Sequence, residues 1–121
     1  MNEREALLRA VCENPDDDTP RLVFADWLQE HGEETRAEFI RAQIEVARFA
    51  DSPKQQKLAK RADQLLRLYG PRWSFDLPEP DGFRWGQSYS RGFIEEIAGV
   101  SDATRFLRCA ADCFDSTPVV A

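Results

Sequence analysis

The sequence predicts a mainly α-helical domain of α+β type: a four-helix N-terminal bundle, a short aromatic-rich β-hairpin, and a fifth helix. Three observations carry this reading. Helix-start signals, each a capping residue with a first-turn proline or a carboxylate three residues on, recur along the first half of the chain. The stretch from Thr35 to Ala50 is apolar on nearly every side of a helical wheel, so other elements must surround it. Beyond Pro71, turn formers and aromatic residues replace the helical period. The 121 residues fit one domain, with a helical part over 1–70 and the hairpin, last helix and the start of a further strand over 71–121. A chain of this length buries roughly two-thirds of its unfolded surface, so stability requires neither a metal nor a disulfide.

Asn2 with Glu5 places a cap and a carboxylate at a helix start, and the first helix runs to about Glu13 with Ala6, Leu7, Ala10 and Val11 inward. Asn14-Pro15 ends it, because proline pushes the preceding residue out of helical geometry. Asp16, Asp17 and Asp18 lead into Thr19-Pro20, a cap and first-turn proline that open a second helix through His31, closed by Gly32. Val23, Phe24, Trp27 and Leu28 share its inner face with His31 near the centre, while Leu22, Ala25 and Asp26 look elsewhere.

Thr35-Arg36-Ala37-Glu38 reads as a capping box that starts the central helix. Glu38, Arg41, Glu45 and Arg48 form a narrow stripe along it, three to four residues apart, and are expected to pair with one another as a solvated seam. Gln43 falls inside the apolar arc, where its amide needs partners from neighbouring segments. Ser52-Pro53 with Gln55 begins a fourth helix that should stop at Gly70-Pro71. Leu58, Ala62, Leu65, Leu66 and Tyr69 make its apolar face, and Lys54, Lys57, Lys60, Arg61 and Arg67 lie opposite.

Pro78, Pro80, Asp81 and Gly82 form turns amid the aromatics Trp73, Phe75, Phe83, Trp85, Tyr89 and Phe93. Phe83, Trp85 and Tyr89 alternate with polar or small residues as in a strand, Ser90-Arg91-Gly92 is a turn, and Phe93 to Ala98 is the partner strand. Ser101 caps a fifth helix whose face of Ala103, Phe106, Leu107, Ala110, Cys113 and Phe114 must pack on something. The tail Val119-Val120-Ala121 is apolar and β-prone, and looks like the beginning of a next element, as if cut from something longer.

Composition narrows the class. An apolar fraction of 42% beside 31% charged residues is that of a soluble globular domain. A net charge of -6 argues against unspecific binding to nucleic acid or to an anionic membrane. Cys12, Cys109 and Cys113 are odd in number and match no zinc spacing, so free thiols in a reducing, cytoplasmic setting are expected. No run approaches a membrane span and no signal peptide precedes the first helix.

The candidates for chemistry are few. Asp16, Asp17 and Asp18 lack the spaced oxygens and distal glutamate of a calcium loop and suit a helix N-terminus instead. Asp26 is the strongest functional carboxylate, yet His31, the one histidine, is turned well off its face, and a structural pair with Arg36 or Arg41 accounts for it. Trp27, Trp73 and Trp85 read as core rather than base-stacking surfaces, and Cys109 with Cys113 as small core residues. No catalytic set, metal cluster or cofactor loop assembles from these residues. The basic face of the fourth helix is the sharper feature. Its cations are a solvated face by default, or a dock for an acidic partner or the chain's own acidic N-terminal segment.

The stretch from Asn14 to Gln43, with its proline-acidic turn, Arg-Leu-Val-Phe-Ala-Asp-Trp-Leu helix, Gly32 and Glu-Phe-Ile-Arg helix ending near glutamine, resembles the bacterial repeat-companion domain family. Arg91-Gly92-Phe93-Ile94-Glu95 is similar to a segment that often follows that motif, which extends the likeness to Pro118. Asp26, Trp27, Glu38, Phe39, Arg41 and Gln43 are the motif's structural residues here. The resemblance implies a module on the N-terminal side of repeat arrays, often leucine-rich repeats, with no catalytic activity established. The expected role is therefore a non-enzymatic capping and protein-protein interaction module, with the downstream repeats as partner. The alternative is an autonomous adaptor that grips an acidic protein through the basic helix.

Overall fold

The computed structural model describes residues 2–49, 52–74, 77, 78, 80–86 and 88–119, and within them all side chains but those of residues 74, 109, 112 and 113. Expectations for Ala50, Phe75, the Cys109 and Cys113 side chains, Val120 and Ala121 lie outside the described residues. Four helices come first: α1 (Glu3–Glu13), α2 (Asp18–Glu30), α3 (Glu34–Arg48) and α4 (Pro53–Ser74). Short connections make successive helices neighbours, and α3 packs against both α2 and α4. Its central place follows from its composition: Ala37, Ile40 and Ile44 join one apolar cluster with α1 and α2, while Phe39 and Ala42 join a second with α4.

The helix starts hold in two cases and shift in three. Asn2 accepts from the Glu5 amide at 2.8 Å, and Ser52 from the Gln55 amide at 3.2 Å. In α2, Asp17 is the cap, bonding the Thr19 amide at 2.9 Å, so Thr19 lies inside the helix. The capping box at Thr35 does not form. α3 begins at Glu34 after an N-cap, Glu33, that makes no side-chain capping bond, and Glu38 reaches across to Arg61 instead of folding back. α5 (Ala103–Ser116) is capped by Asp102 rather than Ser101, through the Arg105 amide at 3.2 Å. Asp and Ser accept equally well at this position, and the carboxylate also suits the positive helix end.

Two inner faces are turned from expectation. Val23 is 45% exposed and Ala25 fully buried, because Arg21 is drawn inward and Ala25 and Leu28 follow it one and two turns on. On α1, Ala6 is exposed and Leu8 packs against the core beside Leu7.

Helix α4 also runs past its expected stop, straight through Pro71. A proline inside a helix costs about 3 kcal/mol or more. The extension seats Trp73, 6% exposed, with its ring centroid 4.8 Å from Phe39 and 6.3 Å from Tyr69. A buried ring of that size with two aromatic neighbours offsets the proline.

The expected hairpin exists but is split in two. β1 (Phe83–Trp85) pairs antiparallel with β4 (Ile97–Val100), and β2 (Tyr89–Ser90) with β3 (Phe93–Ile94), nested between them. A register shift between Arg84 and Trp85 interrupts the ladder, as an extra residue on one strand does. At the tip, Arg91 and Gly92 both take positive φ, 46° and 91°, the pair of conformations that a two-residue hairpin turn requires. The tip lies flat on α3: a Cβ at Gly92 would stand 2.9 Å from the Ile40 Cα.

α5 closes the domain against α1 and the hairpin, with Phe106 5.3 Å from Phe83 and the buried Thr117 hydroxyl donating to the Ile94 carbonyl. Its apolar face is only partly covered. Phe106 and Ala110 are half-buried, while Leu107 is 71% and Phe114 49% exposed.

Candidate functional site

A polar cluster fixes the hairpin to the helices. Arg21 on α2 is fully buried, and its guanidinium donates to the carbonyls of Pro15 at 2.6 Å and Ser90 at 2.9 Å and to the Glu95 carboxylate. Burial pulls this guanidinium below its ordinary value, and the pairing with Glu95 pulls it back up. Arg91 at the hairpin tip donates to Asp18 at 2.9 Å and to the Pro15 carbonyl at 2.6 Å, and Arg48 of α3 reaches the other Asp18 oxygen at 3.0 Å. Burial pushes the Asp18 carboxyl up, but these hydrogen bonds outweigh it and hold it below the usual range. Three arginines thus share two carboxylates across α2, α3 and the hairpin.

Two further α3 residues complete the attachment. Gln43 accepts from the Gly92 amide at 2.7 Å and turns its own amide towards the Tyr89 carbonyl at 3.4 Å. The partners its sequence position demanded are therefore the hairpin's backbone. Arg36 donates to the Gly92 carbonyl at 2.9 Å and lies over the rings of Trp73 and Phe93.

The motif residues Asp26, Glu38 and Arg41 form a surface rather than a buried centre. Arg41 bonds Asp26 and Gln29 at 2.5 Å each, which selects Arg41 over Arg36 as the partner of Asp26. The Asp26 side chain is 69% exposed, and an exposed pair is worth only about 0–1 kcal/mol. Glu38 takes the Arg61 guanidinium at 3.0 Å. The stripe on α3 therefore cross-links to α2 and α4 instead of pairing along itself: Arg41 and Arg48 reach carboxylates on α2, and Glu38 takes Arg61 of α4. Trp27 is half-buried and stacks on His31 with centroids 3.9 Å apart, while Phe39 is fully buried.

Comparison with known proteins finds no matching family, no similar curated protein and no similar solved structure. The likeness of 14–43 to the repeat-companion domain rests on its own residues alone.

Two surfaces stand out among the described residues. The first is the basic face of α4. Lys54, Lys57, Lys60 and Arg67 are exposed and make no ion pair among the described residues, whereas Arg61 is committed to Glu38 and Gln64. The second is the outer stripe of α5 with Leu107 and Phe114, continued in kind by Val100 of β4, 50% exposed. Cys12 of α1 is a poor nucleophile: burial, with Asp115 adding to it, pushes its thiol up to about 12. Among the described residues no helix is long and apolar enough to cross a membrane.

Sequence reasoning missed the role of Arg21, and it noted Arg91 and Glu95 only as part of a turn and of the family-like segment, not as its partners in an ion-pair cluster. For Arg21 the signal was a basic residue in the first turn of a helix, where a carboxylate is the favoured charge.

Proposed function

We propose that this chain is a non-enzymatic capping and protein-interaction module of the repeat-companion type, which covers the exposed end of a repeat array. The observation that carries the reading is the uncovered apolar stripe on α5. A repeat array leaves an apolar end that a dissimilar unit must cover, and Leu107 and Phe114 present the complementary surface. The ion-pair pattern supports a binding role over catalysis, since Asp18, Asp26, Glu38 and Glu95 are each engaged by arginine. A cytoplasmic setting fits the same reading.

The test fuses the chain to the N-terminus of a consensus leucine-rich repeat array stripped of its own cap. The array should melt several degrees higher with the wild-type chain than with Leu107→Asp/Phe114→Asp, each read against the bare array by calorimetry. Equal stabilisation by both chains overturns the reading.

A second reading has its own observation in the exposed cations of α4 that make no ion pair among the described residues. On it the chain is an adaptor that holds an acidic protein partner through Lys54, Lys57, Lys60 and Arg67, with Arg61 withdrawn from that surface by Glu38.

A further inference from the structure

The outer surface of α5 carries more than apolar residues. Leu107, Ala111 and Phe114 recur at helical spacing and are all exposed, with small Ala111 between the two large side chains. Beside this stripe, on one edge, stand Arg108 and Asp115, two turns apart. Both are exposed, and neither makes an ion pair among the described residues. The N-terminal half of the surface is thus apolar with a cation, and the C-terminal half apolar with an anion.

Such a surface is complementary to itself when reversed. If two copies of α5 cross antiparallel at Ala111, the small side chain allows close approach, and Leu107 of each helix meets the Phe114 region of the other. The same operation sets Arg108 of each copy against Asp115 of its mate. A two-fold axis makes every contact twice, so a modest pairing is doubled. A parallel crossing would set each charged edge against the apolar edge of the mate instead.

We propose that the free α5 surface pairs with a second copy of this chain in an antiparallel, two-fold arrangement centred on Ala111. The pairing uses the face that the capping role would use, so a second copy and a repeat array exclude each other there.

Sedimentation equilibrium of the whole chain over a wide concentration range tests it. The mass should rise from 13.9 kDa towards twice that value as concentration increases. Arg108→Glu alone and Asp115→Arg alone should each weaken association by roughly tenfold or more, since each change is felt twice and opposes like charges. The double exchange Arg108→Glu/Asp115→Arg restores the opposite charges and should restore the dimer. Leu107→Asp should be monomeric with an unchanged circular dichroism spectrum, because the residue is largely in water already. A wild-type chain that stays at 13.9 kDa throughout overturns the proposal, as does a dimer indifferent to the single charge changes or a double exchange that fails to recover. The melting shift of the fused array is independent of these masses, so either result can fail without the other.

Discussion

Replacing Arg21 by Met removes the guanidinium that ties α2 to the hairpin while keeping a side chain of similar reach. The loss can be worked from its partners. The Pro15 carbonyl keeps Arg91 as a donor at 2.6 Å, and Glu95 keeps the Arg91 charge as an ion-pair partner at 3.5 Å, so neither is abandoned. The Arg91 carbonyl loses the bond Arg21 gives it at 3.3 Å, the Ser90 carbonyl loses one at 2.9 Å, and Glu95 loses its closest counter-charge. Each weakened buried acceptor costs about 1–3 kcal/mol, and breaking a buried pair from one side costs about 3–5 kcal/mol in all. We expect Arg21→Met to lose about 3–5 kcal/mol in guanidinium chloride unfolding, with hydrogen exchange at the Phe93 and Ile94 amides accelerated more than in α4. The Arg21→Met/Glu95→Leu pair should recover about 2 kcal/mol of that, because the carboxylate left with only the more distant Arg91 goes with it. An Arg21→Met chain within about 1 kcal/mol of wild type would refute the claim that this buried cation holds the hairpin.

Gln43→Leu leaves the Gly92 amide without its acceptor and should cost about 1–3 kcal/mol, measured by urea unfolding, whereas Gln43→Glu keeps the acceptor and should cost less. Acid should weaken the domain through Asp18: its folded value is depressed, so its contribution is complete above the unfolded value of 3.8 and drains as pH falls through the lower folded one. Asp18→Asn should therefore flatten the acid limb of a stability-pH curve, and an unaltered limb contradicts the assignment. Cys12 should alkylate about a thousandfold more slowly than an unperturbed thiol near pH 8, followed by mass spectrometry of the labelled peptide, since its thiolate is that much scarcer. On the adaptor reading, Lys57→Glu/Lys60→Glu should cut binding to a fluorescent polyglutamate peptide by roughly tenfold and flatten its salt dependence, with thermal stability unchanged.

Much of the architecture was legible because it follows from local rules. The apolar circumference of α3 demanded neighbours on both sides, and Gln43 within it announced polar partners before any were visible. The starts at Asn2 and Ser52 and the turn at Arg91-Gly92 were likewise written in two to four residues each. What escaped was set by distant groups. Arg21 reads as a solvated residue at a helix start until hairpin carbonyls 69 and 70 residues away are brought to it. The Thr35 box lost Glu38 to Arg61, 23 residues on, and Pro71 was overridden by a ring pocket that Phe39 and Tyr89 supply. On α5 the amphipathic period was legible, but how much of the apolar face stays uncovered depends on how far α1 and the hairpin reach around it. Surface candidates such as the α4 cations were located correctly as exposed positions, although the pairing of Arg61 needed the neighbouring helix.

The dependence of the helices on the hairpin has a consequence for how the chain is made. Arg21, Arg36 and Gln43 are synthesised early, yet their acceptors and donors lie at residues 89–95. As the polypeptide emerges from the ribosome, α1 to α3 are complete while Arg21 has the Pro15 carbonyl alone and Arg36 and Gln43 still lack their hairpin partners. They cannot settle into final packing then, because doing so would bury those groups unmet. Final consolidation must wait until Glu95 has cleared the exit tunnel. The change in composition at Pro71 marks no seam in cooperativity: a chain ending near 70 would hold most of its helices and their mutual contacts but not the hairpin groups that meet Arg36 and Gln43.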